Sequence, residues 1–158
     1  MNNYLPVNEG VDHINIYSKS SLLLGRMLSN FYYSPFCAEG EQFNSVEGYW
    51  FWLKTGRKYH FLKKLYGYNA KKQGETLEKV FIENFNERIC SAIETKVISN
   101  PLISKALEES ALPLSHYYYY GDISNPKMYQ LPQYQWIVDK IESIRVKLKI
   151  RSDYKLDI

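Results

Sequence analysis

The chain of 158 residues has the length of one ordinary domain, and its 45% hydrophobic and 23% charged residues are typical of a soluble globular protein. A net charge of +3 is too weak by itself to indicate an extended phosphate-tracking surface. Two cysteines, Cys37 and Cys90, predict neither a disulfide framework nor a zinc site because they lack CxxC spacing, and no signal peptide or membrane span is predicted, so we expect a cytoplasmic protein.

The N-terminal region is predicted to be β-structure and the rest mainly helical. Residues 13–18 alternate in polarity and predict a short strand, with a second near 22–24. Helices are predicted over 45–54, 58–66, 77–97, 101–109 and 133–149, the last from the stripe Ile137, Ile141, Ile144 and Leu148. We therefore expect a mostly helical α+β chain that forms one domain over 1–158, with a small sheet built from the first 45 residues and part of 117–120.

Two further features bear on function. Residues 112–132 form an irregular stretch that contains the run His116-Tyr117-Tyr118-Tyr119-Tyr120, and a loop of this length is typically functional or mobile. Basic residues cluster at 57–58, 63–64, 71–72 and 145–151. Solvated helix faces explain these clusters best, and a phosphorylated partner is the weaker interpretation.

The predicted helix 45–54 carries an acid and an amine, Glu47 and Lys54, seven residues apart. Seven residues are about two helical turns, so both side chains share a face with Trp50. A carboxylate, an aromatic plate and an ammonium that line one pocket suit a nucleotide-sized ligand. Two alternatives stay open: Glu47 caps the first turn of the helix, and Trp50 is a core anchor.

Other candidates also have two interpretations. His116 is either a general acid or base near neutral pH or a strand histidine whose ring is satisfied by the backbone. Asp122, after Gly121, is either a turn residue or a loop carboxylate that faces the site. No nucleophile elbow, phosphate-cradling glycine loop, paired-carboxylate motif or metal-ligand cluster is present in the sequence. Hydrolysis by this chain is therefore expected to be metal-free, and a single acid can cleave an N-glycosidic bond by protonating the leaving base.

Several segments together resemble the NADAR superfamily of YbiA-like proteins. The most specific are Leu28-Ser29-Asn30-Phe31-Tyr32 with Ser34-Pro35-Phe36, followed by Ser45-x-Glu47. The remaining matches are weak singly, occur in the expected order and extend the resemblance over most of the chain: Gly25, Gly40, Phe43, Tyr49, Lys54, 70–74, 92–96, Asn100-Pro101-Leu102 and 136–145.

The resemblance implies a NADAR-like fold and an N-glycosidase that needs no cofactor. Members of the superfamily cleave riboflavin-pathway intermediates at the N-glycosidic bond, or remove ADP-ribose from guanine bases of nucleic acid. By resemblance, Glu47 is the essential glutamate and Asn30 the loop asparagine. Lys54 matches the lysine that closes the helix, where it either stabilises phosphate or forms a transient imine with the opened ribose. The substrate-binding set expected with them is Arg26, Asn30, Tyr32, Trp50, Tyr119 and Tyr120.

Departures from the family pattern narrow the expected substrate. Where YbiA-like members carry Ser-Pro-x-Asp-x-x-Trp-Gly, this chain has 112–121 without the Asp or the Trp, so His116 is expected in place of the acid and Tyr119 or Tyr120 in place of the aromatic. Gly48 stands where the family often has His. Both departures favour ADP-ribosylated guanine in DNA as the substrate over riboflavin intermediates. A phage protein that reverses host ADP-ribosylation suits this composition, and a non-catalytic ADP-ribose-binding module is the alternative.

Overall fold

Helices dominate the computed structural model, which describes residues 3–156. Within these residues the strands form three two-stranded sheets. The chain divides into two compact units: one is Asn30–Pro101, and the other consists of the described residues up to Ser29 and from Leu102 onward. The α+β class with mostly helical content is thereby confirmed, while the prediction of one domain over 1–158 stays a prediction.

The unit Asn30–Pro101 is built around one helix that is buried on nearly every side. Strands β2 (Phe36–Ala38) and β3 (Glu41–Phe43) form an antiparallel hairpin and lead into α2 (Val46–Lys54). A 3-10 helix (His60–Lys64), α3 (Gly67–Glu75) and α4 (Phe85–Ser99) follow. A helix that is apolar all round belongs inside a core, and α2 fits that rule because its buried residues are Val46, Gly48, Tyr49, Trp50, Phe51, Trp52 and Leu53.

The other unit pairs the start of the chain with its later part. Strand β1 (Ile14–Asn15) lies parallel to β4 (Leu114–Ser115), and α1 (Leu23–Leu28) follows β1 in the chain. Strand β5 (Tyr117–Tyr120) is antiparallel to β6 (Lys127–Gln130). Helix α5 (Pro101–Glu109) begins at the unit boundary, and α6 (Gln135–Leu156) buries the stripe Ile137, Val138, Ile141 and Ile144.

The structure corrects three predicted elements. The strand expected near 22–24 is wrong, because these residues begin α1, where Gly25 packs so closely that an added Cβ would lie 2.3 Å from the Asn15 carbonyl oxygen. The helix predicted over 77–97 starts only at Phe85, since Asn84 has a left-handed backbone with φ 55°. The helix predicted over 58–66 is shortened to the 3-10 helix, which follows two positive-φ residues, Gly56 and Arg57.

Candidate functional site

Ser45, and not Glu47, caps the N-terminus of α2. Its Oγ accepts a hydrogen bond from the Gly48 backbone N–H at 3.0 Å and donates to the Leu65 carbonyl at 2.8 Å. The backbone N–H of Glu47 donates to the Asn30 carbonyl at 2.9 Å, so this first-turn donor is satisfied by the loop. The Glu47 side chain is therefore not needed for capping and is left for another role.

The Glu47 carboxyl is half-buried and has no hydrogen bond or ion pair with any residue that the structure describes. Burial raises its pKa from 4.5 to about 7, and the charge of Glu75 adds to that effect. Lys71 and Lys54 oppose the rise, with Lys71 the stronger of the two. A carboxyl with a pKa near neutrality can both donate and accept a proton at the pH of the cell, as a general acid or base requires.

Lys54 closes α2, two turns after Glu47, as the spacing predicts. Its ammonium nitrogen lies 5.1 Å from the ring centroid of Trp50 and 5.1 Å from that of Phe85. The edge of one of these rings meets the face of the other, with centroids 4.8 Å apart. Trp50 is only 8% exposed, so little of its ring is left for stacking on a ligand, and its observed contacts are those of a core residue that positions Lys54.

The loop before β2 brings an unsatisfied polar atom close to the helix start. The side-chain oxygen of Asn30 is buried and accepts no hydrogen bond from the described residues. A buried amide oxygen without a donor is costly, and such atoms deserve a functional explanation. Because the backbone carbonyl of Asn30 holds the Glu47 N–H, this orphan acceptor and the perturbed carboxyl belong to one local arrangement.

Sequence reasoning missed one residue in this region, Lys96 of α4. Lys96 is 1% exposed, and burial lowers its pKa from 10.5 to about 7. Its ammonium nitrogen lies 5.9 Å from the ring centroid of Tyr32, a predicted substrate-binding residue. The signal was present in the sequence, since Lys96 falls on the same helical stripe as Ile89, Ala92 and Ile93. A lysine on an apolar stripe predicts a buried amine, which loses its proton more easily than an exposed one.

Gly48 explains one departure from the family pattern. A Cβ at this position would lie 2.5 Å from the Leu62 carbonyl oxygen and 3.1 Å from that of Leu65. The backbone of the 3-10 helix therefore occupies the space into which a larger residue at position 48 would project. In this chain, a histidine at position 48 is excluded unless that backbone shifts.

The remaining predicted residues belong to the other unit. Arg26 donates from Nη1 to the Ser20 carbonyl at 2.7 Å. His116 lies between β4 and β5 and not in a strand as expected, but its Nδ1 bonds the Ile16 carbonyl at 2.6 Å, so the ring is satisfied by the backbone. Burial lowers the pKa of His116, although the bond to Ile16 opposes that shift. With Nδ1 as the donor the ring presents Nε2 as an acceptor, so a role as a base stays a prediction.

The tyrosine run forms β5, but it pairs with β6 inside the stretch predicted to be irregular and not, as predicted, with a strand of the first 45 residues. The members of the run differ in exposure. Tyr119 is half-buried and packs edge-on to Tyr17, with ring centroids 5.8 Å apart, whereas Tyr120 is exposed and meets Tyr129 edge-on at 5.4 Å. Asp122 accepts bonds from the backbone and side chain of Ser124, both at 2.9 Å, which is the turn geometry expected of an Asp at this place. Substrate binding by Tyr119 or Tyr120 stays a prediction.

The fold described above has a counterpart among solved structures. The solved NMR structure of the E. coli protein YbiA is similar to this chain, with a TM-score of 0.64 and 18% sequence identity over 89% of this chain and 87% of that one. No protein-family profile and no curated protein matches the chain. At 18% identity the likeness shows a shared fold, and it confirms the predicted α+β, YbiA-like architecture.

Residues 3–156 contain neither a helix that could span a membrane nor a group of side chains placed to bind a metal. No helix there has the length and apolar content needed to cross a membrane. No group of three or more His, Cys, Asp or Glu side chains in the same residues is arranged to hold a metal ion.

Proposed function

We propose that this chain is an N-glycosidase that removes ADP-ribose from guanine bases of ADP-ribosylated DNA. The observation that carries the proposal is the half-buried Glu47 carboxyl, which has no bonding partner among the described residues and a pKa of about 7. The orphan oxygen of Asn30 beside the same helix start supports it, as does the fold shared with YbiA. The substrate class comes from the NADAR resemblance and from the departures at Gly48 and 112–121.

In this proposal Glu47 acts first as an acid and then as a base. At neutral pH about half of the molecules carry the proton on Glu47, because its pKa is about 7. The protonated carboxyl gives its proton to the departing guanine nitrogen while the bond from that nitrogen to the anomeric carbon breaks and its electron pair moves to the base. Water then adds to the cationic anomeric carbon and returns a proton to the Glu47 carboxylate.

Three polar groups of the same unit have supporting roles in the proposal. The Asn30 side-chain oxygen, which lacks a donor among the described residues, accepts a hydrogen bond from a ribose hydroxyl. Lys54 either binds a phosphate or replaces water as the nucleophile: its unprotonated amine bonds to the anomeric carbon as the base leaves with the Glu47 proton, the ribose ring opens to an imine, and water then hydrolyses the imine to release ADP-ribose and the free amine. Lys96 is a second candidate for the imine, because burial lowers its pKa to about 7 and an unprotonated amine is the nucleophilic form.

Release of ADP-ribose from an ADP-ribosylated guanosine oligonucleotide tests the proposal. Glu47→Gln keeps the shape of the side chain and removes the proton donor, so release is expected to slow by about 10²–10⁴-fold. Glu78→Gln is the matched control, because Glu78 is exposed and has no hydrogen bond or ion pair within residues 3–156. Equal rates for wild type and Glu47→Gln would remove Glu47 from the chemistry.

One absent feature favours a second candidate, an ADP-ribose-binding module without turnover. The segment 112–121 lacks the acid that the family pattern carries there, and the His116 ring bonds the backbone through Nδ1. Calorimetry with ADP-ribose separates the two functions. Tight binding by a wild-type protein that releases no ADP-ribose from any glycoside would favour the module.

A further inference from the structure

Positive charge is concentrated in one short segment of the unit Asn30–Pro101. Residues 57–72 contain six Lys and Arg and no Asp or Glu, whereas the whole chain has a net charge of +3. This segment, here called the basic segment, forms the 3-10 helix (His60–Lys64) and the first part of α3. The buried residues Leu62 and Ala70 anchor it to the core, which leaves its polar residues on the surface.

The lysines of the basic segment fall into two groups. Lys63 and Lys71 form ion pairs with Glu41 at 2.7 Å and with Glu75 at 3.8 Å. Three others are exposed and have no ion pair within residues 3–156: Lys58, Lys64 and Lys72. Ammonium groups without a local counter-charge are the ones available to a phosphate chain.

Exposed aromatic rings alternate with these amines. Phe61 is 45% exposed, Tyr66 is 53% exposed and Tyr68 is 68% exposed. Tyr33, from the loop before β2, is also exposed and meets Tyr66 edge-on, with ring centroids 5.2 Å apart. Rings interleaved with lysines are the arrangement by which proteins hold single-stranded nucleic acid.

An open groove adjoins the 3-10 helix and has a volume of about 640 Å³. Polar residues form its lining: Glu41, Gln42, Asn44, His60, Lys63 and Lys64. Amide, imidazole and ammonium groups at its edge can donate hydrogen bonds to phosphate and sugar oxygens. A groove of this size accommodates a nucleotide, and the Lys64 ammonium at its edge favours an anionic ligand.

Hydrogen bonds connect the basic segment to the loop and the helix N-terminus that position Glu47. The Gly67 N–H donates to the Phe31 carbonyl at 2.8 Å, and the Leu65 carbonyl accepts from Ser45, the residue that caps α2. Lys71, within the segment, is the charge with the strongest effect on the pKa of Glu47. A ligand bound to the basic segment therefore lies next to the Glu47 carboxyl.

From these observations we infer that the basic segment, with Tyr33 and the adjoining groove, is a docking surface for single-stranded DNA. Lys58, Lys64 and Lys72 contact the phosphates, and the rings of Phe61, Tyr66 and Tyr68 stack on bases. The inference deepens the proposed function, since this strand is the one that carries the ADP-ribosylated guanine. Binding of an unmodified strand does not depend on that activity and is tested separately.

Fluorescence anisotropy with a labelled 12-nucleotide oligo-dT at several salt concentrations tests the inference. The wild type is expected to bind, and Lys58→Ala/Lys64→Ala/Lys72→Ala to bind at least tenfold more weakly. Each lost phosphate contact lowers the slope of log K against log salt by about 0.7 for single strands, so the slope is expected to fall by about 2. The matched control replaces three exposed lysines of the other unit by alanine: Lys19, Lys105 and Lys155.

A second variant tests the stacking. Phe61→Ala/Tyr68→Ala is expected to weaken binding by about 5- to 100-fold for each base that loses its ring, without changing the salt slope. Both side chains are exposed, so the variant is expected to unfold at the same urea concentration as the wild type. An unchanged midpoint shows that weaker binding does not result from unfolding.

Several outcomes would overturn the inference. They are an absence of oligo-dT binding by the wild type at 50 mM salt, equal binding by the lysine triple variant and its control, and a tenfold preference for the same sequence as RNA. Binding to anionic lipid vesicles that the lysine triple variant loses, without any loss toward oligo-dT, would assign the surface to lipid instead. If oligo-dT binds but no ADP-ribose is released from any substrate, the docking surface stands and the proposed function fails.

Discussion

Replacing Glu47 by Gln is expected to change how folding stability depends on pH. In the folded chain the pKa of this carboxyl is about 7, against an ordinary value of 4.5. Between these two values the folded state holds a proton that the unfolded state has released. Stability from this group is therefore complete below about pH 4.5 and is lost as pH rises through about 7.

The size of the effect follows from the shift. One proton difference changes the free energy of unfolding by about 1.4 kcal/mol per pH unit, so a shift from 4.5 to about 7 corresponds to about 3 kcal/mol in total. Glutamine does not ionise. The advantage of wild type over Glu47→Gln is expected to be about 3 kcal/mol larger at pH 4 than at pH 8.

Urea unfolding followed by tryptophan fluorescence measures this difference, because Trp50 and Trp52 lie in the same helix as Glu47. At each pH the free energy of unfolding of the variant is subtracted from that of the wild type, which cancels the contributions that other titrating groups make equally to both proteins. Glu78→Gln is the control, and its difference from the wild type is expected to stay constant over this range. A Glu47→Gln difference that changes by less than about 0.5 kcal/mol between pH 4 and pH 8 would refute the reasoning.

Three further predictions concern neighbouring residues. Between about pH 7 and 10.5 the Lys96 amine is neutral in the folded chain and still charged in the unfolded one, so the stability of the wild type is expected to rise with pH by up to about 1.4 kcal/mol per pH unit. Lys96→Met is expected to remove this rise, as measured by urea unfolding. Gly48→Ala is expected to destabilise by about 1–3 kcal/mol, because the added methyl meets the Leu62 carbonyl at 2.5 Å; an unchanged urea midpoint would contradict this. Asn30→Ala is expected to slow ADP-ribose release while costing less than about 1 kcal/mol in urea, because the side-chain oxygen has no donor to lose among the described residues.

The helices that the sequence predicted well are those whose ends carry a chemical signal. Helix α5 starts at Pro101, a residue suited to the first helical position, and its predicted bounds agree with the structure. Helix α2 starts after Ser45, whose side chain makes the capping bond. In α6 an apolar stripe was enough to predict the element, although the helix extends beyond 149.

The elements that were wrong depend on contacts that local periodicity does not contain. The segment before α4 has helical spacing, but Lys79 donates to the carbonyls at the end of α3, and the Val80 N–H donates to the Lys54 carbonyl at 2.7 Å. No helix was predicted over 67–75, where Gly67 and Gly74 have low helix propensity. In the structure Gly74 allows α3 to lie against Phe51, since an added Cβ would lie 2.2 Å from that ring.

The sequence predicted those parts of the candidate site that depend only on residue spacing along one helix. The separation of Glu47 and Lys54 correctly placed both on α2. What the sequence could not supply is the environment: the charge of Lys71 near Glu47, and the Phe85 ring that covers Trp50. Both come from helices far along the chain, so only tertiary packing reveals them.

The close approach of the Leu62 carbonyl to Gly48 also restricts how this sequence can diverge. Any descendant that acquires a side chain at position 48 must first, or at the same time, acquire changes at 60–65 that move that backbone outward. Substitutions at position 48 and at 60–65 are therefore expected to be coupled in evolution. A substitution at position 48 is tolerated only if the compensating change at 60–65 comes first or at the same time.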